Sequence, residues 1–228
     1  MEILKGIKII DLALYIKKEK ILVIGDVHIG YEEALNKQGI LIPRFQFQEI
    51  LKRLDKIFAK VKAELIIING DLKHEFGTIS DQEWRQTLKI IDYLSEKAKI
   101  ILIKGNHDNI LGPIANKRNI EIVDSYNVKD ITILHGDKII NNLNKVIIMG
   151  HEHPAISFKE RDDKFKCFLK GKYGKSDLIV MPSFTQVVEG SNMLKEKLLS
   201  PYLKDIKNFE VYVVEDKIYY FGKIKDLR

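Results

Sequence analysis

The six histidines of this chain all fall in short runs of Asp, Asn, Gly and His. In order the runs are Gly25-Asp26-Val27-His28, Asn69-Gly70-Asp71 continuing to His74, Gly105-Asn106-His107-Asp108, His135-Gly136-Asp137 and Gly150-His151-Glu152-His153. Hard and borderline divalent cations bind carboxylate oxygen, amide oxygen and imidazole nitrogen. Asp26, His28, Asp71, Asn106, His135, His151 and His153 supply seven such donors, enough for two ions. Taken singly, an Asp-x-His or a Gly-Asp says little, and an isolated His is usually a surface or hydrogen-bonded residue. The recurrence of all five clusters in one chain is what makes a metal site the reading.

Most of the clusters follow a short apolar run rich in β-branched residues: Ile21–Ile24, Leu65–Ile68, Ile100–Ile103, Ile131–Leu134 and Val146–Met149. Such runs suit strands buried on both faces. In open α/β sheets, sites gather beyond the carboxyl ends of strands, where these donors fall. Glycines precede Asp71, Asn106 and His151, and the missing Cβ lets the chain turn sharply and approach a charged centre closely.

Two helices fit between the early strands. From Gln46 to Lys62, apolar residues Phe47, Ile50, Leu51, Leu54, Ile57, Phe58 and Val61 recur every three or four positions. Ser80 and Glu83 form a capping box that opens a second helix, whose stripe of Trp84, Leu88, Ile91 and Leu94 places Trp84 in the core. At the start, Ile7–Ile10 with Leu12, Leu14 and Ile16 reads as one strand in a hairpin with Ile21–Gly25. Alternating strands and helices argue for a largely parallel sheet. After Gly150 the pattern becomes antiparallel, with strands expected at Ala155–Phe158, Lys164–Leu169, Asp177–Met181, Phe209–Val214 and Lys217–Phe221, and a helix around Asn192–Leu199. A second sheet packed on the first, within one domain spanning 1–228, accounts for that change.

Composition narrows the class. The apolar fraction of 45% closes a core, while uninterrupted apolar runs stay far below the roughly 20 residues a membrane helix needs. Nothing in Met1–Lys5 resembles a secretion signal, so a cytoplasmic protein with no membrane association is expected. The single cysteine, Cys167, is expected to be a packed thiol. A net charge of +6 permits polyanions without demanding them.

The series Asp26-x-His28, Gly70-Asp71, Gly105-Asn106-His107-Asp108, His135-Gly136 and Gly150-His151-x-His153 resembles the calcineurin-like metallophosphoesterase family. The resemblance implies an α/β (α+β) fold, a four-layer αββα sandwich of mixed sheets flanked by helices. It also implies a two-metal centre that hydrolyses phosphate esters with a hydroxide nucleophile. Carried over, Asp26, His28, Asp71 and His153 hold one ion and Asp71, Asn106, His135 and His151 the other, with Asp71 bridging. Two cations so placed clamp a phosphoryl group and acidify a shared water. His107, left over from the ligand count, is cast as the catalytic group that stabilises the phosphoryl oxygens or protonates the leaving alkoxide. Asp108 reads as a hydrogen-bonding support for the site. Mn²⁺ is the expected ion, with Fe, Ni, Zn and Mg compatible.

One position departs from the family. Many relatives carry an acid three residues after the bridging Asp, where it orients the catalytic His; this chain has His74 there. Asn69-Gly70-Asp71-Leu72-Lys73-His74 resembles instead a prokaryotic branch related to the nuclease subunit of double-strand-break repair and to phosphoesterases found beside DNA ligase. Lys73 or His74 is the candidate contact to the substrate phosphate, the alternative being a solvated lysine beside a hydrogen-bonded histidine.

The resemblance implies a phosphate-ester substrate, nucleic acid (DNA or RNA) or nucleotide esters being the expected class. The stretch Lys164–Lys175 has five lysines, three aromatics and no acid, which suits a nucleic-acid ledge or a strand with a wet face. Alternatives to a phosphodiesterase are a phosphomonoesterase, a small-nucleotide diesterase, a scaffold without turnover, or a subunit acting with a DNA-repair partner or as a homodimer. Met181–Phe184 is expected as a packed turn behind the site.

Overall fold

A computed structural model of the chain describes residues 1–75, 80–108, 111–157 and 163–227. The first sheet runs β1 (Glu2–Leu4), β2 (Ile7–Ile10), β3 (Ala13–Ile16), β4 (Ile21–Gly25), β5 (Leu65–Asn69), β6 (Lys99–Ile103) and β7 (Glu121–Val123) in spatial order. Its first strands pair antiparallel and β4 to β7 pair parallel. Four helices connect them: α1 (Tyr31–Lys37), α2 (Gln46–Phe58), α3 (Asp81–Ser95) and α4 (Gly112–Arg118).

The second sheet contains β8 (Ser125–Val128), β9 (Ile131–Leu134), β10 (Val146–Met149), β11 (Pro154–Ile156), β12 (Phe165–Tyr173), β13 (Ser176–Val180), β14 (Ser191–Asn192), β15 (Glu210–Val214) and β16 (Ile218–Lys223). It is mixed: β9, β10 and β13 run parallel, and β12 joins β13, β11 and β15 antiparallel. Two mixed sheets flanked by helices form the α/β sandwich expected.

Strand alternation sorts the core. Ile133, Ile148, Phe168 and Ile179 join the apolar cluster shared with the first sheet and with Ile50, Leu54 and Ile57 of α2. Their neighbours Leu134, Ile147, Met149, Cys167, Leu169, Leu178 and Val180 face the other way, into a second cluster with Tyr202, Leu203, Ile206 and Phe209. A one-residue slip of any of these strands would exchange the two sets. Cys167 is the packed thiol expected.

Several elements differ from the sequence reading. Ile7 to Ile16 is two strands rather than one, because Asp11 adopts a left-handed turn (φ 57°) and folds β3 back on β2. The second sheet begins at β8, well before Gly150. α2 stops at Phe58. In α3 the buried positions are Glu83, Thr87, Ile90, Ile91 and Leu94, so Trp84 flanks the stripe and is half-buried. The helix expected around Asn192–Leu199 is absent: Ser191 and Asn192 pair with β11, and the N–H groups of Leu199 and Ser200 donate to the Glu152 carboxylate. Turns and a 3-10 segment (Ile224–Leu227) cover that face of the second sheet. Phe158, expected at the end of a strand, lies outside the described residues. Among those described, no helix is long and apolar enough to cross a membrane.

Candidate metal centre

The parallel strands set the position of the clusters. β4, β5 and β6 are in register, Gly25 beside Asn69 and Asn69 beside Ile103, so their carboxyl ends stop at one level. Leu134 of β9 likewise sits beside Met149 of β10. Loops leaving both sheets at these ends meet over the sandwich edge. Asp26, His28, Asp71, His151 and His153 all occupy the left-handed region, with φ between 43° and 66°. Each such residue costs about 1–3 kcal/mol and persists only where its surroundings hold it. Here the loops hold one another: His28 N–H donates to Asp71 O at 2.9 Å, and His151 N–H to the Asp26 carboxylate at 3.0 Å.

Among the described residues the possible donors form three groups: Asp26, His28, Asp71 and His153, and Asp71, His135 and His151, which share Asp71, and His28, His74 and His107, which shares His28 with the first. Asn106 joins the second, its Oδ1 lying 2.9 Å from His135 Nε2 and 3.1 Å from His151 Nδ1. In the first, His153 Nε2 is 3.3 Å from both Asp26 Oδ1 and His28 Nε2. In the second, His135 Nε2 is 3.4 Å from Asp71 Oδ2 and 3.2 Å from His151 Nδ1. All seven residues singled out from the sequence therefore lie in this one cluster.

The arrangement fits divalent cations. Asp26, His28, Asp71 and His135 are at most 3% exposed, and among the described residues Asp26 Oδ1 has no hydrogen-bond donor. Two imidazole nitrogens pointed at each other bring lone pairs together, which a cation between them satisfies. The close approach also explains two glycines. A Cβ on Gly105 would collide with the Asp71 carboxylate, and one on Gly150 with that of Asp26.

Electrostatics follow the crowding. Burial and the neighbouring His153 hold His28 well below the usual imidazole range. Burial also presses on His135, but the carboxylates of Asp71 and Asp26 outweigh it and raise the imidazole to about 9. Asp71 is buried too, yet His135 and the surrounding imidazoles hold its carboxyl well below the ordinary value.

His107 sits at the edge of the cluster. Its backbone N–H donates to Asp71 Oδ1 at 2.9 Å, and its Nε2 lies 3.9 Å from Asp71 Oδ2. Its Nδ1–H donates to the carbonyl of His74, so the backbone at position 74 orients this ring in place of the acid many relatives carry. The His74 ring stands 5.5 Å from that of His28 and 5.4 Å from that of His107, centroid to centroid. Burial and His107 push it down to about 4. Lys73 is fully buried, and its ammonium donates to the carbonyls of Glu75 and His107. Asp108 accepts from the N–H groups of Leu72 (3.2 Å) and Gly105 (3.0 Å), tying the second and third clusters together. Burial and Asp71 raise its carboxyl to about 7.

Two supporting residues were missed in the sequence. Glu83 receives the Ser80 cap through its N–H, but its carboxylate does not close the capping box; it accepts the N–H groups of His74 (2.9 Å) and Glu75 (3.0 Å). Gln46, the first residue of α2, donates through Nε2 to His28 O (2.8 Å) and Thr185 Oγ1 (2.9 Å). Neither carries a local signal, since both act on loops distant in sequence. The Met181–Phe184 segment does pack behind the site, with Phe184 N–H donating to Gly25 O at 3.0 Å. The lysines after residue 163 meet acids from elsewhere: Lys164 pairs with Glu196, Lys170 with Glu210 and Lys172 with Asp177. That stretch is an ion-paired strand rather than an open basic ledge.

Comparison with known proteins identifies the fold and the family. The crystal structure of Pseudomonas putida nuclease MPE superposes with a TM-score of 0.69 over 92% of both chains at 20% identity, which establishes a common fold. A protein of unknown function from Aquifex aeolicus, AQ665, matches at 21% identity and a TM-score of 0.38 over 58% of this chain and 78% of its own. The pattern described as calcineurin-like phosphoesterase matches residues 19–213. The chain therefore belongs to the calcineurin-like phosphoesterase family and is a metal-dependent hydrolase of phosphate esters.

Proposed function

We propose that the protein is a dinuclear phosphodiesterase acting on nucleic acid or nucleotide esters. The observation that carries the reading is the pair of donor groups meeting at Asp71. Asp26, His28, Asp71 and His153 would hold one divalent ion, and Asp71, Asn106, His135 and His151 the other, with Mn²⁺ suited to this mixed oxygen and nitrogen set. When bound, two such ions supply charge stabilisation for the phosphoryl oxygens and a water acidic enough to attack phosphorus.

The side chains do the rest. His107 directs Nε2 toward the centre and, as the nearest imidazole outside both donor groups, stabilises the phosphoryl oxygens or gives a proton to the leaving alkoxide. Of the two residues considered for the substrate phosphate, His74 is the better placed, because its ring borders His28 and His107 while the Lys73 ammonium is committed to carbonyls. Lys73 instead fixes the backbone of the His107 loop.

The test compares turnover of bis(p-nitrophenyl) phosphate, p-nitrophenyl phosphate and single-stranded DNA by Mn²⁺-loaded protein. Turnover of the diester and of DNA above the monoester is expected. Hydrolysis of the monoester alone would replace this reading with a phosphomonoesterase, and no hydrolysis of either diester would reject it.

A further inference from the structure

Beside the metal centre lies a cavity of about 390 Å³ that the chemistry above does not use, walled by Ile42, Pro43, Phe45, Ile50, Phe184 and Val187. Val187 also lines the neighbouring depression that contains the candidate ligand His153 and Tyr31. Gln46, on the cavity wall, holds the carbonyl of His28 on one side and Thr185 on the other, so the cavity lies directly behind one metal-binding loop. Phe45, on its wall, is 63% exposed.

The charges at this cavity are already matched. Glu32 accepts the N–H groups of Phe45 and Gln46, Glu49 pairs with Lys52, and Arg53 pairs with Asp11. A second phosphate therefore finds no unmatched cation there. A flat, neutral, aromatic group finds an exposed phenyl face, an aliphatic floor and, at the mouth, the amide of the exposed Gln186. Apolar pockets of this size with a few polar groups at the edge are typical small-ligand sites.

We propose that this cavity seats a nucleobase of the substrate, stacked on Phe45, while the ester joined to that nucleoside lies over the metal centre. This rests on the phosphodiesterase reading and narrows its substrate class to esters carrying an unpaired base. Stacking on an aromatic ring tolerates any base, so recognition of unpaired strands without a strict sequence is expected.

The test is saturation-transfer NMR on the full chain with thymidine 5′-monophosphate, ribose 5-phosphate serving as the base-free control. Saturation of the base protons is expected in the wild type, with loss in Phe45→Ala and retention in Phe45→Tyr. In parallel, the ratio of kcat/KM for the p-nitrophenyl ester of thymidine 5′-phosphate to that for methyl p-nitrophenyl phosphate should fall about tenfold in Phe45→Ala, the scale of one base–aromatic stack. Base protons that stay unsaturated, or that saturate equally in Phe45→Ala, overturn the pocket even where both esters are hydrolysed. Saturation without hydrolysis of either ester would leave the base site standing and reject the phosphodiesterase reading.

Discussion

His107 is oriented by the backbone of His74: its Nδ1–H donates to the His74 carbonyl at 2.5 Å, which fixes the tautomer and leaves Nε2 turned toward Asp71, 3.9 Å away. The support continues outward. Glu83 accepts the N–H of His74, and the buried Lys73 ammonium donates to the carbonyl of His107. An acid side chain at position 74 is therefore unnecessary for holding this ring.

His107→Ala should abolish most turnover while both ions remain bound, because the ring belongs to neither donor group that meets at Asp71. The expected loss in kcat is about 10²–10⁴-fold, the usual contribution of a positioned acid or base. Steady-state kinetics with metal analysis of the same preparation check this. Unchanged kinetics would remove His107 from the reaction.

Gly105→Ala should weaken metal binding. The new Cβ meets the Asp71 carboxylate shared by both donor groups, and displacing a supporting contact of this kind typically costs about 10–100-fold in affinity. Gly112→Ala, where a Cβ meets nothing within 4 Å, is the control. Calorimetric titration with Mn²⁺ distinguishes them, and equal affinity in the two variants would contradict the crowding seen around Asp71.

The seven donor residues were legible in the sequence because each follows a strand whose apolar run is itself a strong signal, and parallel pairing brings such ends to one level. Supports acting across loops were not. Glu83 has the spacing of a capping box, yet its carboxylate serves residues 74 and 75, and nothing in the helix pattern separates those two uses. The spacing of Met193, Leu194 and Leu198 mimics a helix stripe, but those residues pack on the second sheet from a chain pinned at Leu199 and Ser200 by Glu152. In both cases a buried carboxylate took backbone donors from a distant segment, a tertiary choice that local periodicity does not record.

Glu83→Ala should destabilise the protein by about 1–3 kcal/mol, since it strips a buried acceptor from the N–H groups of His74 and Glu75. Glu83→Gln keeps an acceptor oxygen for both and should lose much less. Urea unfolding measures the difference. Turnover of Glu83→Ala should also fall with its metal content unchanged, because the carbonyl that orients His107 loses its anchor. Equal stability of the Ala and Gln variants would show that the carboxylate does not hold this loop.

Lys166 carries a pH dependence of its own. Its ammonium donates to Ser183 O at 3.0 Å in a crowded position, and burial together with Arg53 pushes its pKa down to about 7 from 10.5. Between those values the unfolded chain holds a proton that the folded chain has released, so stability rises with pH across that window and the penalty is complete below about 7. Lys166→Met removes the titrating group. Urea unfolding of both proteins at pH 7.5 and 9.5 should show wild-type stability increasing with pH more steeply than that of the variant. The comparison of slopes cancels the lost hydrogen bond to Ser183, which contributes at both pH values. Parallel slopes would mean that Lys166 stays charged in the folded protein and that the carbonyl and hydroxyl of Ser183 suffice to solvate it.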